Sequence, residues 1–337
     1  FFDALILLIA ILCFFYGYKL IFFNFFLILI LIGILEIIFG DWLFKDRLNH
    51  LNIIKDHKMK FAVENLYDWH EDNVEYKRDI YGFRSKYKSL DDIDIITIGG
   101  STTDQRFIGE GFTYQDIIHK LFSDDNKYIS VVNAGVDGQT THGHIKNFDY
   151  WFKNIPSLKP KYFLFFIGVN DLYSLNPGEH DYILENDKRD LELGFLNKIR
   201  SNSVFYYLIN LASGLQKAKI YNLGHGYKKS YPMDNWTTEF KINNHEIFIS
   251  HSLDSFEARL HVLVDKVKQY GAQTIFVTQS HRRIYDIIDG QLYGEKDYLN
   301  LNGIDINGTD YYYMIKLVHQ RMLKVAKKEG AIFLDLN

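Results

Sequence analysis

DIDIITIGGSTTDQR, residues 92–106, decides how the chain is read. Its first half is an apolar, largely β-branched run of the length expected for a buried strand. The run stops at Gly99-Gly100, where two residues without side chains let the backbone turn tightly. Ser101 then stands just past the strand's end, followed by Thr102 and Thr103. That placement suits a nucleophile. It equally suits a plain strand-to-helix turn, or a helix N-terminus that holds a phosphate, so the rest of the chain has to decide.

From Ile93 onward, strand and helix patterns alternate. Strands are predicted at Ile93–Ile98, Tyr128–Asn133, Tyr162–Ile167, Thr274–Thr278 and Ala331–Leu336. Between them lie an amphipathic stretch at Phe112–Phe122, a helix over about His142–Phe152, and a helix marked by Leu253, Phe256, Leu260, Leu263, Val264 and Val267 at helical spacing. A last helix over about Tyr311–Glu329 ends at Gly330. This alternation predicts a parallel, doubly wound sheet. Residues 174–246 break the rhythm and read as an insertion that covers the pocket or meets a partner.

In such sheets, sites form at the carboxyl ends of strands where strand order reverses. The first three strands are followed by GGSTT, NAGVDGQTT and GVNDL. If the order is 2-1-3, these three loops are neighbours. Ser101 is then placed as a nucleophile. Acyl transfer also needs donors aimed at the developing oxyanion. The backbone N–H of Gly138, the side-chain amide of Asn170 and the N–H of Ser101 itself can supply them. The competing reading of Asn170 and Asp171 is a turn pair that satisfies its own backbone.

Taken in order, GGST, VVNAGVDGQT and GVND resemble blocks I, II and III of the SGNH (GDSL-type) hydrolases. These are serine esterases, lipases and acyltransferases on a flavodoxin-like three-layer fold. The resemblance runs from about Asp92 to the end of the chain. Ser101 matches the family nucleophile in a GGS variant of its usual Gly-Asp-Ser, Gly138 the block II glycine, and Asn170 the block III asparagine. The preceding YGFRS (residues 81–85) is similar to what many bacterial membrane-associated or secreted members carry. The resemblance implies a parallel five-stranded sheet of order 2-1-3-4-5, an ester substrate, and a catalytic Asp and His in a D-x-x-H block after the last strand. Residue 337 falls in that strand, so the chain is expected to be a truncated, inactive piece of an active enzyme. Asp335 reads as a strand-end residue, and no base is assigned. His281 is a candidate to line the site. His142 and His144 are expected in the first turn of a helix, and His319 is expected to be structural.

Composition narrows the partners. A net charge of −4 without a basic run argues against nucleic acid. The single cysteine, Cys13, excludes disulfides within the chain, cysteine–zinc sites and a cysteine nucleophile. His142-Gly143-His144 has no third ligand nearby, so no metal and no cofactor are expected. Residues 4–18 and 21–39 are nearly continuous apolar runs separated by Lys19. They are expected to form a transmembrane hairpin in residues 1–40 that contacts the lipid bilayer. A connecting arm at 41–90 and a hydrolase domain at 91–337 follow. Glu36 is the odd residue, tolerated near the interface. Lys45, Arg47, Lys55, Lys58 and Lys60 would hold the domain in the cytoplasm. The family analogy instead places it outside, at a bacterial inner membrane, and that location is the expectation. The expected activity is a serine esterase. The alternatives are an O-acyltransferase of cell-envelope polysaccharide or a non-catalytic envelope binding module.

Overall fold

The computed structural model describes residues 5–11, 19–44, 48, 51, 53–63, 73–125, 128–173, 199, 202–220, 235–280, 284–301 and 303–336. The chain divides into two units, Phe1–His50 with Lys188–Asn222, and Leu51–Asp187 with Leu223–Asn337.

Helix α1 spans Lys19–Phe39. Strands β1 (His57–Ala62) and β2 (Asn73–Arg78) pair antiparallel. Strand β3 (Ile95–Gly99) runs into a one-turn helix α2 (Ser101–Asp104), then α3 (Tyr114–Asp124) and β4 (Val131–Asn133). Helix α4 (Thr141–Tyr150), β5 (Tyr162–Phe166) and α5 (Val169–Tyr173) come next. Helix α6 (Val204–Ile220), β6 (Trp236–Thr237) and the short α7 (His245–Phe248) precede α8 (Ser250–Gln269) and β7 (Gln273–Val277). Strands β8 (Tyr285–Ile288), β9 (Gln291–Glu295), β10 (Leu299–Leu301) and β11 (Ile304–Ile306) lead to α9 (Gly308–Glu329) and β12 (Ile332–Leu334).

The main sheet has order β12-β7-β5-β3-β4 and is parallel throughout. Numbered along the chain, this is the predicted 2-1-3-4-5. The register explains why β3 and β5 read as unbroken apolar runs, since both of their faces are covered. Ile96, Ile98, Phe163, Phe165 and Phe276 share one face and join the large core with α4, α8 and α9. Thr97, Leu164 and Ile275 are in register on the other face. There α3 packs, with Gln115 Nε2 donating to Thr97 Oγ1 at 2.8 Å and the Tyr114 ring edge-on to Phe166. The three layers follow from these two faces.

The structure adds what the sequence pattern concealed. The stretch read as a connecting arm holds the β1–β2 hairpin, and Arg84 bridges to Asn133 at the free edge of β4. Between β7 and α9, where no elements were expected, lie the hairpins β8–β9 and β10–β11. Helix α9 starts three residues before the predicted Tyr311, because Asn307 closes a capping box with Asp310.

In the first unit, Ile21–Phe39 of α1 is long and apolar enough to cross a membrane, and none of it is buried. Of the first apolar run, residues 5–11 are helical. The remainder of the expected hairpin, including Cys13, lies outside the described residues.

Candidate active site

The three loops after β3, β4 and β5 meet at one atom. Asn170, in the first turn of α5, donates from Nδ2 to the carbonyl of Gln139 at 2.9 Å. The same Nδ2 sits 2.3 Å from the point a Cβ on Gly100 would occupy. Any side chain at residue 100 would therefore displace the amide. Gln139 follows Gly138, whose φ of +74° places the turn in the left-handed region that glycine adopts without penalty. Ser101, partly exposed, opens α2 directly after Gly100. Ser101, Gly138 and Asn170 are thus brought to the carboxyl end of the sheet by adjoining loops.

Two further clusters hold these loops. Asp171 is buried and accepts from Thr141 N at 3.1 Å and from Thr141 Oγ1. Arg259 of α8 donates to both partners. This pins the start of α4 to α5. Beneath it, His144 is buried, and its Nδ1 lies 3.2 Å from Gln139 Oε1. Burial pushes its pKa down to about 4, against the opposing pull of the Asp171 charge. His142 and His144 do lie in the first turn of α4.

His144 makes stability pH-dependent. The folded state keeps it neutral down to about pH 4, while the unfolded chain takes up a proton near pH 6.5. The contribution is therefore complete above the unfolded value and is lost as pH falls from 6.5 toward 4. Between pH 7 and pH 5 the unfolding free energy should drop by about 2 kcal/mol from this residue alone. Urea denaturation at the two pH values, in the native chain and in His144→Gln, should show that drop shrinking in the variant.

The loop after β7 supplies a residue that the sequence reading missed. Gln279 is buried, donates from Nε2 to Thr102 Oγ1 at 2.6 Å and accepts from Val169 N at 3.3 Å. It ties the residue after Ser101 to the first residue of α5. His319 of α9 lies behind it, with Nε2 3.0 Å from the Gln279 carbonyl, and burial lowers its pKa. Asp335 stands at the end of β12 and accepts from Thr278 Oγ1 at 2.9 Å. At the fourth strand end the sequence reading singled out His281 and passed over Gln279, because an amide carries no chemical signature in a sequence. His281 lies outside the described residues. A D-x-x-H spacing does occur at Asp116–His119, within α3. There Asp116 closes a capping box and His119 Nδ1 meets the Ile129 carbonyl.

The nucleophile turn also rests on two arginines of the β1–β2 region. Arg84 is fully buried. Its Nη1 donates to the carbonyls of Asp104 (2.8 Å) and Gln105 (2.7 Å), its Nη2 to that of Ile108, and its Nε to Glu110. Arg78 Nη2 donates to Asp104 Oδ1 at 2.6 Å, and the Tyr76 hydroxyl donates to the same oxygen at 2.7 Å. Burial pushes the Tyr76 pKa up to about 12. Arg84 belongs to the YGFRS stretch, whose role is here packing beneath α2.

Residues 95–225 match the family described as GDSL-like Lipase/Acylhydrolase. A search of curated proteins finds no match. Solved structures similar to the chain include AlinE4, an SGNH-hydrolase family esterase (11% identity, 74% of this chain and 77% of that one, TM-score 0.36). Others are the psychrotrophic esterase EstA from Pseudoalteromonas sp. (11%, 73% and 78%, 0.36) and an acetyl xylan esterase from Geobacillus stearothermophilus (15%, 72% and 75%, 0.34).

Proposed function

We propose that this chain is a membrane-anchored serine esterase, with Ser101 as nucleophile. Ser101 Oγ attacks an ester carbonyl as its proton passes to a base. The tetrahedral oxyanion is met by the Gly138 N–H and the Asn170 amide, with the Ser101 N–H as a third donor. Collapse expels the alcohol with that proton, and water then hydrolyses the acyl-enzyme. No residue is assigned as the base. The observation that carries this reading is the convergence of the loops bearing Gly100, Gln139 and Asn170 on one amide nitrogen. Helix α1 anchors the domain in a bacterial inner membrane, with the hydrolase unit outside the cytoplasm.

A fluorophosphonate probe applied to the protein should attach at Ser101, as read by mass spectrometry of the labelled peptide. Attachment at another residue, or labelling that persists in Ser101→Ala, refutes the assignment. A membrane anchor also favours transfer over hydrolysis, because it holds the enzyme beside envelope polysaccharide. Acetyl transfer to an added sugar acceptor, in preference to water, would select the acyltransferase form of the same site.

A further inference from the structure

The residue that looked out of place in the apolar run is the end of a built contact. The Glu36 carboxylate accepts from Ser203 Oγ, from Val204 N at 3.1 Å and from Trp42 Nε1 at 2.8 Å. It thereby caps the N-terminus of α6, so a second helix starts where α1 ends. Near these ends, Leu35 and Phe39 of α1 and Val204, Phe205 and Leu208 of α6 line an open apolar groove. In α6, Val204, Leu208 and Leu211 recur on one face and Tyr206, Asn210 and Ser213 on the opposite one, with Ile209, 65% exposed, beside the second group. Leu208 and Leu211 are 50% and 40% exposed. They extend the exposed apolar surface of α1. At 17 residues, α6 is about 25 Å long, short of the roughly 30 Å bilayer core. Trp42, Tyr206 and Tyr207 cluster at the junction, the residue types that gather at a membrane interface.

From this we infer that α6 is a second membrane element, lying in the headgroup–acyl boundary with its Leu208/Leu211 face in the lipid. The inference rests on the reading of α1 as a membrane span. It makes the insertion that follows the Asn170 loop in sequence a lipid-contacting segment.

The test uses the full chain in a Cys13→Ser background, reconstituted into phosphatidylcholine–phosphatidylglycerol vesicles. An environment-sensitive fluorophore is attached at Leu211→Cys, Ser213→Cys, Phe26→Cys or Phe112→Cys, one per sample. Vesicles carry a spin-label quencher either near the headgroup or near the acyl terminus. The Leu211 label should lose about half its emission to the shallow quencher and less to the deep one, as for an interfacial helix. Ser213 should lose less than Leu211, Phe26 should respond most to the deep quencher, and Phe112 of the hydrolase unit to neither. Quenching at Phe26 without quenching at Leu211 overturns the inference and leaves the anchor standing. Deeper quenching at Leu211 than at the interface overturns it in favour of a spanning helix. No quenching at Phe26 overturns the anchor, and the inference with it.

Discussion

Ser101→Ala should lower kcat for a short-chain ester by on the order of 10⁵–10⁶, because a nucleophile and its base act as a unit. Asn170→Ala should cost less, roughly 10²–10³ in kcat with KM little changed, the usual loss for one oxyanion donor. The geometry adds a sharper expectation. A Cβ at residue 100 would lie 2.3 Å from Asn170 Nδ2, so Gly100→Ala must push that amide aside. Gly100→Ala should therefore reproduce the Asn170→Ala defect, and the double variant should be no worse than either single one. Steady-state kinetics on the four proteins decide the matter. Multiplicative losses would mean that the two residues act separately and that the amide is not the shared element. A Ser101→Ala enzyme retaining a tenth of its rate would remove Ser101 from the reaction.

Much of this arrangement was legible beforehand because the main sheet is buried on both faces. A strand covered on both sides reads as a near-continuous apolar run, and IITI and YFLFF do, with the Thr97 hydroxyl satisfied by hydrogen bonds to Val132 and Gln115. The order 2-1-3-4-5 was implied by the family resemblance that the strand-end motifs carry. The peripheral strands were not legible, for a physical reason. In β2 the inward positions are Val74, Tyr76 and Arg78. An inward arginine breaks the apolar/polar alternation that marks a half-buried strand. The partner strand HKMKFA is mostly exposed and carries the same ambiguity. Strands β8 to β11 are three to five residues long and held largely by cross-strand bonds, too short for a period to register. Gln279 escaped notice because its role is to join Thr102 to Val169, which only the fold makes adjacent.

The inward arginine also yields the largest expected stability effect. Arg78 and Asp104 are both almost fully buried, with an N–O distance of 2.6 Å. The Asp104 charge holds the arginine ionised against burial, which acts the other way. Removing one partner leaves the other charged in a low-dielectric site, so Asp104→Leu should destabilise the hydrolase unit by about 3–5 kcal/mol. Arg78→Met should cost at least as much, since Gly82 and Gly135 also lose the donor to their carbonyls. Combining Arg78→Met with Asp104→Leu removes both charges and refills the space. That double variant should be no less stable than Arg78→Met alone, whereas independent sites would add. Urea denaturation of the four proteins measures the difference, and additive losses would show that the pair is not coupled. The pair also fixes the last residue of the helix that Ser101 opens. The double variant should therefore recover stability without recovering the full ester-hydrolysis rate, because an apolar pair fills the volume but does not aim α2. Full recovery of both would mean that filled space under α2, without the ion pair, is enough to position Ser101.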